Sequence, residues 1–131
     1  MYLTFDPSRG ESLELILHTK QGTTVARRTV RLDDYHRSAI LKATVDFFRS
    51  VGFTAGELEG VLVVNGCGRF TTLRLVAAVA NTLAWLYHIP ITGVTAATVP
   101  FLGRPKKGAF LRPVYSREPN ITKAHRKVLA V

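Results

Sequence analysis

The stretch Val63 to Leu75, VVNGCGRFTTLRL, holds the residues of this chain best spaced for chemistry. A β-branched run stops at Asn65 and Gly66, Gly68 follows after one residue, and a long apolar segment then begins. Strand, glycine turn and helix in that order cradle phosphate in many nucleotide-binding proteins, because glycine lets consecutive backbone N–H groups turn inward. Arg69 adds positive charge. Yet the pattern G-x-x-x-x-G-K-[ST] is absent, and Thr71 occupies the last position of G-x-G-x-x-G. The physics favours a tight strand-to-helix turn, with Thr71 or Thr72 capping the helix.

The other candidate groups are isolated. Asp6 has no second carboxylate at a recognisable metal spacing, and His18, His36, His88 and His125 form no pair such as H-x-x-x-H. Cys67 sits where a helix N-terminus would lower a thiol pKa, but no histidine partner can be assigned to it. As the single cysteine it excludes an internal disulfide and a cysteine-built zinc site. The expectation is no catalytic residue, no metal and no cofactor.

A length of 131 residues suits one domain with a real core, and an apolar content of 47% suits a globular chain. The N-terminus lacks the basic-then-apolar pattern of a signal peptide. The longest apolar helical segment, Leu73 to Tyr87, is too short to span a bilayer. These features predict a cytoplasmic protein with no membrane contact. The net charge of +9 is unevenly placed, with +2 on residues 1–100 and +7 on residues 101–131. Charge alone would draw such a tail towards phosphate-rich partners, with a solvated, solubilising tail as the plain alternative.

The elements that must position these residues follow from periodicity and turn signals. MYLTFD, LELILHT and TTVARRTVRL read as three strands joined by turns at Pro7–Gly10 and Gln21-Gly22. Arg27, Arg28 and Arg31 suit an exposed edge strand. Asp33 and Asp34 offer a start for a helix over 35–51, ended by Gly52. VLVV, Val61 to Val64, is apolar on both faces, as in a strand covered on both sides. A second helix spans 71–88, with Pro90 as its stop, and ITGVTA is a short strand. The order β-β-β-α-β-α-β predicts an α/β fold with a mixed sheet and helices on at least one face. GRPKKG reads as a basic turn, FLRPVYSREP as extended chain, and NITKAHRKVL as a short basic helix capped by Asn120.

The run from Leu58 to Ala96 resembles the TsaB (YeaZ) family, the dimerisation subunits of bacterial tRNA N6-threonylcarbamoyladenosine (t6A) synthesis. That family's G-P-G-S-F-T-G-L-R-I-G is matched at Gly66, Gly68, Phe70, Thr71, Leu73 and Arg74, and its I-P-hydrophobic-x-G-V strand by IPITGV. LTFDPS resembles its opening strand, His36 and Ser38 fall where it enters helix one, and RPVYSREP resembles its closing segment. The resemblance covers roughly residues 1–100 and 112–119, and only fifteen residues, Ala97 to Leu111, stand where typical members carry a second lobe. It implies a single actin/Hsp70/sugar-kinase-like (ribonuclease H-like) lobe over 1–100. The basic tail, 101–131, would return to that lobe. In that superfamily Asp6 and Ser8 would lie at the first phosphate loop, where Pro7 removes a backbone donor. Thr72 and Val76 stand where the family usually has glycine, and would crowd a ligand approaching the backbone.

The role so implied is a non-catalytic scaffold. It would pair through helices 35–51 and 71–88 with the catalytic paralogue (TsaD-like), with an ATPase subunit (TsaE-like) joining, and would form a homodimer when alone. Both helices carry more apolar surface than one buried stripe needs. The expected interface residues are Ile40, Ala43, Phe47, Phe48, Leu73, Ala77, Ala80, Ala84 and Trp85. Arg104, Lys106, Lys107 and Arg112 are the candidate tRNA contacts. Two other functions compete: a small nucleotide-binding lobe of the actin/sugar-kinase type acting as a dimer, and a basic RNA-binding protein. The latter has only Phe101, Phe110 and Tyr115 as a stacking platform.

Overall fold

The computed structural model describes residues 1–9, 12–31, 37–65, 70–94 and 111–112 of the chain. The elements, in order, are β1 (Tyr2–Asp6), β2 (Ser12–His18), β3 (Thr24–Arg31), α1 (Arg37–Val51), β4 (Gly60–Val64), α2 (Phe70–Tyr87) and β5 (Ile91–Val94). A short 3-10 turn, Ala55–Glu57, precedes β4. This is the β-β-β-α-β-α-β order that the periodicity predicts. The five strands form one mixed sheet in the order β3-β2-β1-β4-β5. β1 is antiparallel to β2 and β2 to β3, whereas β1–β4 and β4–β5 are parallel. A parallel neighbour needs a crossover, and α2 supplies the one between β4 and β5.

Register decides which side chains meet. Leu3 pairs with Leu17 and Val61, Phe5 with Leu15 and Val63, Leu13 with Val30, and Val61 with Ile91. Because strand side chains alternate, these residues share one face. They join Ile40, Phe47 and Phe48 of α1 and Val76, Ala80, Leu83 and Ala84 of α2 in a single core cluster. Both helices therefore cover the same face of the sheet. Arg28 ties β3 to α1 from that side: its guanidinium lies 5.8 Å from the Phe47 ring centroid, and Nη2 donates to Ser50 Oγ at 3.2 Å.

Both helices end on left-handed residues. Gly52 has φ 68°, and Phe53 N–H donates to the Phe48 carbonyl at 2.9 Å, so the expected glycine stop is a Schellman cap. For α2 the expectation needs correction. The helix ends at Tyr87, because His88 adopts φ 54° and Ile89 N–H returns to the Ala84 carbonyl at 3.0 Å. The same cap forms on a histidine, two residues ahead of the proline thought to end the helix.

The opposite sheet face is also buried, at Tyr2, Thr4, Asp6, Glu14, Ile16, His18, Leu62 and Val64. It holds a polar cluster that the sequence did not reveal. His18 Nδ1 lies 2.9 Å from the Thr19 carbonyl, so that nitrogen donates to it, and Nε2 shares a hydrogen bond of 2.7 Å with the Thr4 hydroxyl. Tyr2 stacks on the imidazole at 5.9 Å. Thr4→Val keeps the shape and leaves Nε2 buried without its hydrogen-bond partner. The expected cost is about 1–3 kcal/mol, read as a lower urea midpoint at unchanged slope. Where β1 and β4 begin side by side, the Met1 ammonium beside Glu59 holds that carboxyl below the usual carboxylate range.

Candidate interaction site

The outward side of the helix layer is the most apolar exposed surface among the described residues. On α1, Leu41 and Val45, one turn apart, are each 45% exposed. On α2, Trp85 is 67% and Leu86 54% exposed. The exposed stripe of α2 runs Thr71, Arg74, Ala78, Thr82, Trp85, a helical spacing that faces away from the sheet. Val51 and Tyr87, at the ends of the two helices, are exposed as well. Large exposed apolar side chains on one helix layer mark a surface suited to another protein.

Most residues expected at an interface are taken up by the chain's own core. Of the nine residues assigned to it from sequence, Ile40, Phe47, Phe48, Leu73, Ala77, Ala80 and Ala84 are buried within the chain, and Ala43 is half-buried. Only Trp85 is exposed. The physical reason lies in spacing. Leu73, Val76, Ala77, Ala80, Leu83 and Ala84 fall at i, i+3, i+4, i+7, i+10 and i+11, one helical stripe, and the sheet claims it. The alanines do permit close approach, but the element approached is β4 of the same chain.

The glycine stretch is only partly in view, because Gly66, Cys67, Gly68 and Arg69 lie outside the described residues. Thr71 and Thr72 are inside α2 rather than ahead of it, which corrects their assignment as caps. Thr72 Oγ1 is buried and makes no hydrogen bond. Val76 is fully buried. At the end of β1, Asp6 Oδ1 accepts the Ser8 N–H at 3.0 Å, a turn cap made by one of its two oxygens. Among the described residues, no three His, Cys, Asp or Glu side chains gather as metal ligands would. No helix among them is long and apolar enough to cross a membrane. His36 and His125 lie outside them, as do Asp33, Asp34, Arg104, Lys106 and Lys107 and the segments expected over 113–131.

Arg112 is exposed, and its backbone is held to the lobe. Asn65 Nδ2 donates to the Arg112 carbonyl at 2.9 Å. Asn81 grips Leu111 twice, donating to its carbonyl at 2.9 Å and accepting its N–H at 2.7 Å. A Cβ at Gly93 would meet Leu111 Cδ1 at 3.1 Å, so glycine there leaves room for the leucine. These two asparagines escaped the sequence reading, since their partners lie 47 and 30 residues away. Asn81→Ala should remove both bonds to Leu111. Faster hydrogen exchange of the Leu111 amide, with a stability loss of about 1–2 kcal/mol, is the expected result.

Comparison with known proteins agrees with this architecture. YeaZ from Pseudomonas aeruginosa superposes with a TM-score of 0.60 at 22% identity, covering 72% of this chain and 43% of that one. A second P. aeruginosa structure, of an uncharacterised protein similar to peptidase YeaZ, gives the same score and identity over 72% of this chain and 42% of its own. The fold is thus shared with part of these YeaZ structures, an α/β arrangement of a mixed five-stranded sheet and two helices. Two tRNA N6-adenosine threonylcarbamoyltransferases, from two strains of Cryptococcus neoformans var. neoformans serotype D, are 35% identical over 60 residues. Those residues are 46% of this chain but only 16% and 15% of the two relatives, so the chain spans a small part of the curated proteins it matches. The family model described as "TsaD: tRNA N6-adenosine threonylcarbamoyltransferase" matches residues 18–102. With well over half its length matched, this chain belongs to the tRNA N6-adenosine threonylcarbamoyltransferase (TsaD) family.

Proposed function

We propose that this chain serves tRNA t6A modification as a non-catalytic pairing subunit, binding a catalytic TsaD-like paralogue through the outward side of α1 and α2. The observation that carries the reading is the exposed set Leu41, Val45, Trp85 and Leu86 on a helix layer whose inner side is already filled by the chain's own core. Trp85 is its natural anchor, since buried tryptophans dominate interface energetics. In the absence of the paralogue the same surface pairs two copies around a two-fold axis. An ATPase subunit of the TsaE type joins the heterodimer, and the basic tail, with Arg104, Lys106, Lys107 and Arg112, lies towards the tRNA. The place of action is the cytoplasm.

The family's description is that of a transferase, so reconstitution must separate catalysis from support. The expected result is no t6A from this chain with tRNA, threonylcarbamoyl-adenylate and metal, and faster formation when it is added to the catalytic paralogue. Modification by this chain alone would make it the enzyme. Calorimetry with ATP or ADP should show no micromolar one-to-one site, because Pro7 removes a backbone donor from the turn after β1, where the superfamily holds phosphate.

A further inference from the structure

We infer that Asn65, Asn81 and Gly93 are positioning residues for tRNA binding: they anchor Leu111–Arg112 on the lobe and so offer the Arg112 guanidinium to phosphate; this inference rests on the t6A reading above. The anchor lies at one edge of the sheet, where β5 is the terminal strand. Gly93 pairs in register with Val63, a core residue, so its missing side chain leaves a notch on the helix side of β5. Leu111 fills that notch: a Cβ at Gly93 would stand 3.1 Å from Leu111 Cδ1, and the leucine packs against the core cluster. A carboxamide carries both a donor and an acceptor, as a peptide unit does. Asn81 uses both on one residue, accepting the Leu111 N–H at 2.7 Å and donating to its carbonyl at 2.9 Å. Asn65 Nδ2 donates to the next carbonyl, that of Arg112, at 2.9 Å.

All three bonds go to main chain, so the side chain of Arg112 takes no part in the anchor, and the residue is exposed. Pro113 follows it, and the residue before a proline is restricted to extended backbone, which removes further freedom from Arg112. Ordering chain costs backbone entropy, and a segment that served solubility alone would gain nothing from it. Sealing the core edge needs only the leucine. It does not need the following carbonyl fixed, which is what Asn65 does. A guanidinium on a fixed backbone loses less freedom when its fork meets phosphate oxygens. Arg112 belongs to residues 101–131, which carry a net charge of +7, and a polyanion is the partner that such charge suits. A contact of this kind positions the tRNA backbone and does not read sequence.

Labelled, unmodified tRNA titrated by fluorescence anisotropy into the full chain, alone and with the catalytic paralogue, tests this at about 0.1 M salt. The variants are Arg112→Ala, Asn65→Ala with Asn81→Ala, and all three together. Arg112→Ala is expected to weaken binding roughly five- to ten-fold, the worth of one phosphate contact at that salt. The asparagine pair should cost nearly as much although it removes no charge. Adding Arg112→Ala to it should cost little more, because the anchor acts through Arg112. Gly93→Ala pushes on Leu111 from the notch and should act in the same direction. Melting curves establish that each variant is folded. If the asparagine pair does not fold, Gly93→Ala with and without Arg112→Ala runs the same cycle. Anchor variants that lose stability yet bind tRNA like the wild type overturn the proposal and leave the anchor a packing device. An Arg112→Ala loss of equal size in both backgrounds overturns it too, as does a wild type that binds no tRNA in either setting. Failure of the t6A reading would show separately, as a wild type that leaves t6A formation by the paralogue unchanged.

Discussion

Ala80→Glu is expected to unfold the chain. Ala80 is 0% exposed and belongs to the core cluster between α2 and the sheet. A glutamate there adds side-chain volume to a filled site, at about 1–3 kcal/mol, and places a carboxylate among leucines, valines and phenylalanines. No cation belongs to that cluster, so the charge or its protonation costs several kcal/mol more. The sum approaches the whole stability of a domain of this size, about 5–15 kcal/mol. Circular dichroism on heating should show no cooperative transition, or one shifted far down. A variant as stable as the wild type would take α2 off the sheet and return Ala80 to the outer surface.

Trp85→Glu should do the reverse. Its side chain is 67% exposed, so stability should change by no more than about 0.5 kcal/mol. Association should suffer, because a tryptophan at the centre of an interface is commonly worth about 2 kcal/mol or more, a factor of roughly thirty in Kd. Leu41→Glu on α1 should weaken the same contact, and the two losses should be less than additive if one partner element covers both. Titration calorimetry against the catalytic paralogue, with urea unfolding as the stability control, measures each effect. Unaltered affinity in the double variant would remove the helix layer from the interface.

Most of the architecture was legible in the chain because it rests on local signals. Val61 to Val64 read as covered on both faces, and every residue of β4 is buried. Gln21-Gly22 and Gly52 marked turns that the structure makes with positive φ at both glycines. A count of apolar residues in a helix does not say which side of it they occupy. Ala77, Ala80 and Ala84 seemed an outward groove, whereas their spacing with Leu73, Val76 and Leu83 already described one inward stripe. A sheet with Leu3, Phe5, Leu13, Leu15 and Leu17 on one face must be covered, and that demand ranks ahead of any partner. The Thr4–His18 bond depends on β1–β2 register, and Asn81 meets Leu111 only after the chain has folded back. Neither is a local property. The left-handed His88 likewise has no signature in its residue type, since the proline two positions on masked the true cap.

Mass in solution tests the helix layer as a pairing surface most directly. Light scattering coupled to size exclusion should be run on the full chain at about 50 µM, alone and mixed with the catalytic paralogue, a concentration ample for an interface of ordinary affinity. The expected masses are twice the 14.5 kDa chain when alone, and one copy of each protein in the mixture. Trp85→Glu with Leu41→Glu should return the isolated chain to monomer while its melting curve stays in place. A wild-type protein that elutes as a 14.5 kDa monomer and ignores the paralogue would contradict the account.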